Sequence, residues 1–141
     1  MTQLGDIEDR LAICELKARY CRLMDTKQWD SWRDLFSEDY ELDVTEGTDL
    51  PVIKGREAAL DRVLSSIRHA ITAHQVHSPE IRINGDDALG IWAMQDRVIF
   101  PNGASLTGYG HYHDRFKRQN GQWRIVALKL TRLRVELVPA P

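Results

Sequence analysis

Cysteine is scarce in this chain, and what there is cannot cross-link it. The 141 residues hold two cysteines, Cys14 and Cys21, seven positions apart in a helical pattern. That spacing is about 10 Å along a helix at ~1.5 Å per residue, whereas a disulfide needs Cα atoms within ~7 Å. A reducing, cytoplasmic setting is expected. An excess of one charge is also lacking. The 19 basic and 21 acidic side chains leave a net charge of −2, which gives no general attraction to nucleic acid or acidic membranes. No stretch approaches the ~20 apolar residues of a membrane span, and the opening Met1–Arg10 has no apolar run after a basic start, so no secretory leader is expected. Internal repeats, low-complexity tracts and linkers are missing too. The chain is 43% hydrophobic, and at this length roughly 68–70% of the unfolded surface can be buried. One domain over residues 1–141 follows.

The apolar pattern puts helices first and strands second. Ile7, Leu11, Cys14, Ala18 and Cys21 recur at steps of four and three, the stripe of an amphipathic helix with Asp6 as its N-cap. A short second helix is expected over Lys27 to Phe36, and a strand where Tyr40, Leu42 and Val44 alternate. Arg56 to about His69 reads as a third helix, with Ala59, Leu60, Val63, Leu64 and Ile67 inward. From Ile71 onward the signals are those of strands. Ile71–Ile83, Leu89–Phe100, Ser105–Arg118 and Trp123–Val135 are separated by the turns Asn84-Gly85-Asp86-Asp87, Pro101-Asn102-Gly103 and Gln119-Asn120-Gly121. Pro79 marks a kink or an edge. Three helices followed by an antiparallel meander form an α+β fold with the helices on one face of a curved sheet.

Candidate functional residues are polar groups that interrupt apolar rows. Asp25, four residues after Cys21, either continues the helix stripe or ends it in solvent, and Tyr20 projects from the same end. Trp92, Met94, Asp96, Val98 and Phe100 share one strand face, so Asp96 stands in an apolar wall, where a carboxylate is costly unless paired. His74 and His77 fall on opposite faces of their strand. His111 and His113 share a face but lack the further ligands of a metal site, so no metal is expected. Tyr112 then points inward beside Gly108 and Gly110, which leave room for a ligand. On the last strand Arg124, Val126, Leu128, Leu130, Arg132 and Arg134 share a face, and Arg132 can pair with Asp96, bind an anion or sit at a rim. The opposite face would carry Trp123, Ile125 and Leu133. Together with Tyr109 they form an apolar outer surface suited to a homodimer.

The helix–helix–strand–helix–meander order and the run Tyr20-Cys21-Arg22-Leu23-Met24-Asp25-Thr26-Lys27-Gln28-Trp29-Asp30 resemble the SnoaL-like branch of the nuclear-transport-factor-2-like superfamily. So do Leu35–Asp39, Ile53-Lys54-Gly55-Arg56, Thr72-Ala73-His74, Gly90–Met94 and Gly121–Ile125. The resemblance covers Ile7 to Val135 and implies a cone-shaped α+β barrel around one apolar pocket. Within the branch the chain is most similar to scytalone dehydratase, hexachlorocyclohexane dehydrochlorinase and bile acid 7α-dehydratase types. These imply a His–Asp dyad, matched by His74 and Asp25. The bile acid type adds a tyrosine, an acid and an arginine, matched by Tyr20, Asp96 and Arg132. Scytalone dehydratase departs from this chain in having a tyrosine where Met24 stands, and its further histidine and asparagine fall on Val98 and Tyr112, so scytalone is not the expected substrate.

The resemblance implies a lyase without cofactor, eliminating water or a similar group from a small hydrophobic cyclic substrate. His74 is the expected base, Asp25 its orienting partner, and Tyr20, with a protonated Asp96, the donor to the leaving group. Arg132 is expected to hold an enolate or carboxylate. Trp92, Met94, Val98, Tyr112 and Met24 are expected to line the pocket. An isomerase or cyclase using the same proton abstraction, or a non-catalytic binding module, stands as the alternative.

Overall fold

In the computed structural model, residues 4–141 are described, with helices α1 (Leu4–Asp25), α2 (Trp29–Arg33) and α3 (Arg56–Ile67). The strands are β1 (Phe36–Asp43), β2 (Ile53–Lys54), β3 (Ile71–Asn84), β4 (Asp87–Ile99), β5 (Ser105–Gln119) and β6 (Gln122–Val138). They form one six-stranded sheet in the order β2-β1-β6-β5-β4-β3. The meander β3–β6 is antiparallel as expected, but the sheet is mixed, because β1 pairs in parallel with β6. The turns behave as their sequences require. Asn120 and Gly121 both take positive φ, 52° and 77°, the two-residue hairpin geometry that Asn-Gly favours. Ser78 and Pro79 drop out of the β3–β4 ladder between His77 and Glu80, so the proline sits in a bulge where its missing N–H costs nothing.

The helix stripe differs from the sequence expectation. α1 buries Ile13, Leu16, Lys17, Tyr20, Cys21, Leu23 and Met24, while Ile7 and Leu11 are more than half exposed and Ala18 faces solvent. Asp6 lies in the first turn rather than at the cap. The true stripe contains a lysine, and a charged residue hides a helical period. α2 is shorter than expected, and β1 starts earlier, at Phe36. Both cysteines are free thiols. Burial pushes the Cys21 thiol up to about 11, which suppresses its thiolate at neutral pH.

β6 also corrects simple alternation. Its ladder to β5 shifts at Val126 and again at Leu133, and each extra residue swaps the faces that follow it. Trp123 and Ile125 are therefore buried in the core, at 9% and 0% exposure, rather than on the outer face. Arg132 stays inward, whereas Arg134 turns out to solvent and pairs with Glu136. No helix among the described residues is long and apolar enough to cross a membrane.

Candidate active site

The end of α1 aims its last side chain. The Lys27 N–H donates to Met24 O at 3.1 Å and the Gln28 N–H to Leu23 O at 2.9 Å, while Lys27 takes φ 60°. This is a Schellman closure, with lysine in the left-handed position where glycine is usual. Lys27 Nζ reaches Ile67 O at 3.3 Å, which ties the helix end to the end of α3. The closure leaves Asp25 against β3. Its Oδ1 accepts from Thr72 Oγ1 at 2.9 Å and from His74 Nδ1 at 2.7 Å, and its Oδ2 accepts from the His74 backbone N–H at 2.8 Å. A carboxylate at the negative end of a helix dipole is unfavourable, and these three donors offset that cost. An acceptor on Nδ1 fixes the proton there, so Nε2 of His74 carries the basic lone pair. The His74 side chain is only 8% exposed and lines an internal cavity.

That cavity has a volume of about 420 Å³, within the range of roughly 300–1,000 Å³ common for small-molecule sites. Most of its wall is apolar: Met24 from α1, Leu42 from β1, Val63 and Ile67 from α3, Val98 from β4, and Leu128 and Leu130 from β6. Polar groups gather on one side, where Tyr20, His74, Asp96, Tyr112 and Arg132 all reach the wall. The loop after β1, with Val44, Glu46, Gly47, Thr48 and Leu50, and Arg62 and Ser66 of α3 complete the lining. Glu46 Oε1 accepts the Arg132 backbone N–H at 2.9 Å, which seats this loop on β6. The run Thr45-Glu46-Gly47-Thr48-Asp49 has the composition of a turn, but nothing local in it gives its place against the cavity.

Asp96 lies beside His74 in the β3–β4 register, and Arg132 grips it with two parallel bonds, Nη1–Oδ1 at 2.8 Å and Nη2–Oδ2 at 3.1 Å. With both oxygens accepting from a guanidinium, Asp96 is a carboxylate, which corrects the protonated donor expected from its apolar wall. Of the three settings open to Arg132, the structure shows the pair with Asp96. The two inner-face glycines also have a different use from the ligand space expected of them. A Cβ on Gly108 would stand 2.0 Å from Arg132 Nη1 and 2.2 Å from Asp96 Oδ1, and one on Gly110 would meet the Thr131 carbonyl oxygen at 1.9 Å. Gly108 makes room for the ion pair and Gly110 for the second bulge of β6. Gly108→Ala is expected to push Arg132 off Asp96 and to cost ~1–3 kcal/mol by overpacking, read as a lowered midpoint in urea unfolding. An unchanged midpoint would show that the pair can shift freely.

The rings of Tyr20 and Tyr112 meet edge-on, with centroids 5.8 Å apart, and each phenol bears on the acidity of the other. Burial, with negative neighbours adding to it, holds both phenols well above the usual tyrosine range. They therefore remain protonated hydrogen-bond donors at neutral pH. Both tyrosines line the cavity, so an O–H can be offered to a ligand.

Two expected pocket residues are elsewhere. Trp92 and Met94 are buried but do not line the cavity. Trp92 fills the deep end against Phe116, 5.8 Å between centroids, over the space that Gly90 leaves open. Met94 lies behind Arg132, its Sδ 3.9 Å from Nη1. His77 is exposed on the other side of β3. His113 meets Thr131 Oγ1 at 3.0 Å, and no group of three metal-ligating side chains occurs among the described residues. Sequence reasoning also missed a fully buried ion pair beneath the tyrosines, Lys17 Nζ–Asp114 Oδ2 at 2.7 Å.

The fold and this apolar cavity with its one polar wall are those of a nuclear-transport-factor-2-like α+β barrel. Residues 5–129 match the model of the SnoaL-like domain, and the chain belongs to that family. Among solved structures it is similar to Rv3472, a protein of unknown function from Mycobacterium tuberculosis, at 30% identity and TM-score 0.78, over 92% of this chain and 75% of that one. It is also similar to a hexachlorocyclohexane dehydrochlorinase (LinA-type3) from Novosphingobium barchaimii, at 20% identity and TM-score 0.83, over 97% and 94% of the two chains. A putative scytalone dehydratase from Novosphingobium aromaticivorans is 17% identical at TM-score 0.81, over 96% and 91%. At such identities the two enzyme structures establish a shared fold.

Proposed function

We propose that this protein is a lyase that eliminates water, or a similar leaving group, from a small, uncharged, cyclic substrate, using His74 as its base. The observation that carries this reading is the imidazole whose Nδ1 is held by Asp25 while its ring lines an apolar cavity. Nε2 takes a proton from carbon, the electron pair of that C–H bond becomes the double bond, and the C–O bond on the neighbouring carbon breaks. Asp25 stabilises the imidazolium formed. An O–H of Tyr20 or Tyr112 hydrogen-bonds the departing oxygen, which leaves as water with the proton returned by His74. The raised phenols suit this role, since they hold a hydrogen bond without giving up a proton. Two of the five N–H donors of Arg132 are committed to Asp96 and a third faces Met94 Sδ; the other two, on Nη2 and Nε, are left for a carbonyl beside the acidic C–H, where enolate charge develops. Because Asp96 already balances the guanidinium, an uncharged carbonyl fits better than a carboxylate.

Incubation of the wild type and His74→Ala with a panel of cyclic β-hydroxyketones of steroid and polyketide type tests the reading. Loss of 18 Da from a substrate, dependent on His74, is the expected result. A product of unchanged mass would make the protein an isomerase by the same proton abstraction, and a thermal shift without turnover would make it a binding module.

A cytoplasmic homodimer is part of the same proposal. With Trp123 and Ile125 inside, exposed Leu89 and Leu133 and the half-buried Ile91 and Tyr109 remain to support association. Light scattering at micromolar concentration should give twice the 16.2 kDa chain mass; a stable monomer would remove this part.

A further inference from the structure

We propose that the buried Lys17–Asp114 pair is a positioning device that holds the rings of Tyr20 and Tyr112, and with them their hydroxyls, in place at the cavity wall; its catalytic meaning rests on the lyase reading above. Lys17 and Tyr20 are three residues apart on the buried face of α1, and Tyr112 and Asp114 are two apart on the inner face of β5. Helix and strand periods therefore set the two pairs side by side. The Lys17 ammonium lies 2.7 Å from Asp114 Oδ2, 4.0 Å from the Tyr20 ring centroid and 3.8 Å from that of Tyr112. One cation thus contacts both tyrosine rings at cation–π distance. Both charged side chains are wholly buried, and neither Lys17 Nζ nor either Asp114 oxygen has an aligned hydrogen-bond partner among the described residues.

A pair so placed is a poor stabiliser. Desolvation of two charges offsets their attraction, and well-packed apolar residues of similar volume usually serve as well or better. What apolar residues cannot supply is a charge that fixes the two π faces at once. Tyr20 has two other aromatic neighbours, Trp32 at 6.1 Å and Phe36 at 6.0 Å; Phe36 has no polar atom, and Trp32 Nε1 makes no hydrogen bond to the Tyr20 hydroxyl. Without the ammonium its ring is free to slide toward them, away from Tyr112.

The test combines Lys17→Met with Asp114→Leu in the full chain, labelled with [ζ-13C]tyrosine. Tyr20→Phe and Tyr112→Phe assign the two signals. In the wild type a slowly exchanging hydroxyl proton coupled to one of these Cζ atoms is expected. In the double variant it should be lost, with the thermal midpoint no lower than in either single variant. On the substrate found by the mass screen, kcat should fall at least tenfold while KM stays within about threefold. Persistence of the hydroxyl signal would overturn the proposal, whatever the activity. Should the Met/Leu variant fail to fold, Lys17→Gln with Asp114→Asn removes the charges while keeping polar contact, and the same signal decides. The signal needs no turnover, so its loss supports the positioning role even if the lyase reading fails.

Discussion

Replacing His74 by Ala is expected to lower kcat/KM by ~10²–10⁴, the usual size of general base catalysis, with the fold retained. The ring is small and lines a cavity, so its removal enlarges existing space rather than opening a void in the packed core. Asp25→Asn should also cost orders of magnitude, because an amide can present its N–H to Nδ1 and so turn the proton to Nε2. That change weakens two other bonds as well, from Thr72 Oγ1 and the His74 backbone N–H, so a measurable loss of stability should accompany it. The double variant should be little slower than either single one, since groups acting as a unit are strongly non-additive. His77→Ala, on the exposed side of β3, should keep the rate within a few-fold. Steady-state kinetics on the substrate identified by mass loss checks all four. A fully active His74→Ala would remove the base from the mechanism.

The residues that the sequence made legible are those whose position follows from a short local period. Alternation puts Asp96 in the apolar wall, whereas the local pattern leaves Asp25 and the choice between His74 and His77 open, and only the family resemblance implies the pairing of Asp25 with His74. Legibility fails where a charge occupies an apolar row or a bulge resets a strand. Lys17 conceals the true stripe of α1, and the apparent stripe through Ile7 and Leu11 is solvated instead. Val126 and Leu133 are ordinary apolar residues with nothing local to mark a bulge, yet they decide whether Trp123, Ile125 and Arg134 face the core or the solvent. Trp92 and Met94 were placed on the correct strand face but not at the correct depth. Alternation gives a face, whereas depth depends on which side chains pack against the residue, here Phe116 against Trp92. The state of Asp96 likewise follows from a partner 36 residues away, beyond the reach of any local pattern.

Lys17→Met alone should be among the most destabilising single substitutions in the chain. It removes one member of an ion pair with no solvent contact on either side and leaves Asp114 buried without a counter-charge. Breaking such a pair costs about 3–5 kcal/mol, equivalent to a fall of roughly 10 °C or more in thermal midpoint for a domain of this size. The pH dependence separates this cause from simple loss of packing. Burial already holds the Asp114 carboxyl above the usual range, and the Lys17 charge is what opposes it; without that charge the carboxyl must rise further. A carboxyl raised in the folded state exacts its penalty above its folded pKa and none below its unfolded pKa. The deficit of Lys17→Met relative to wild type should therefore be largest at neutral and alkaline pH and shrink as acid protonates Asp114. Urea unfolding of both proteins across pH 4 to 8 measures it. A deficit that stays constant over that interval would mean that the lysine acts through its hydrocarbon stem rather than its charge.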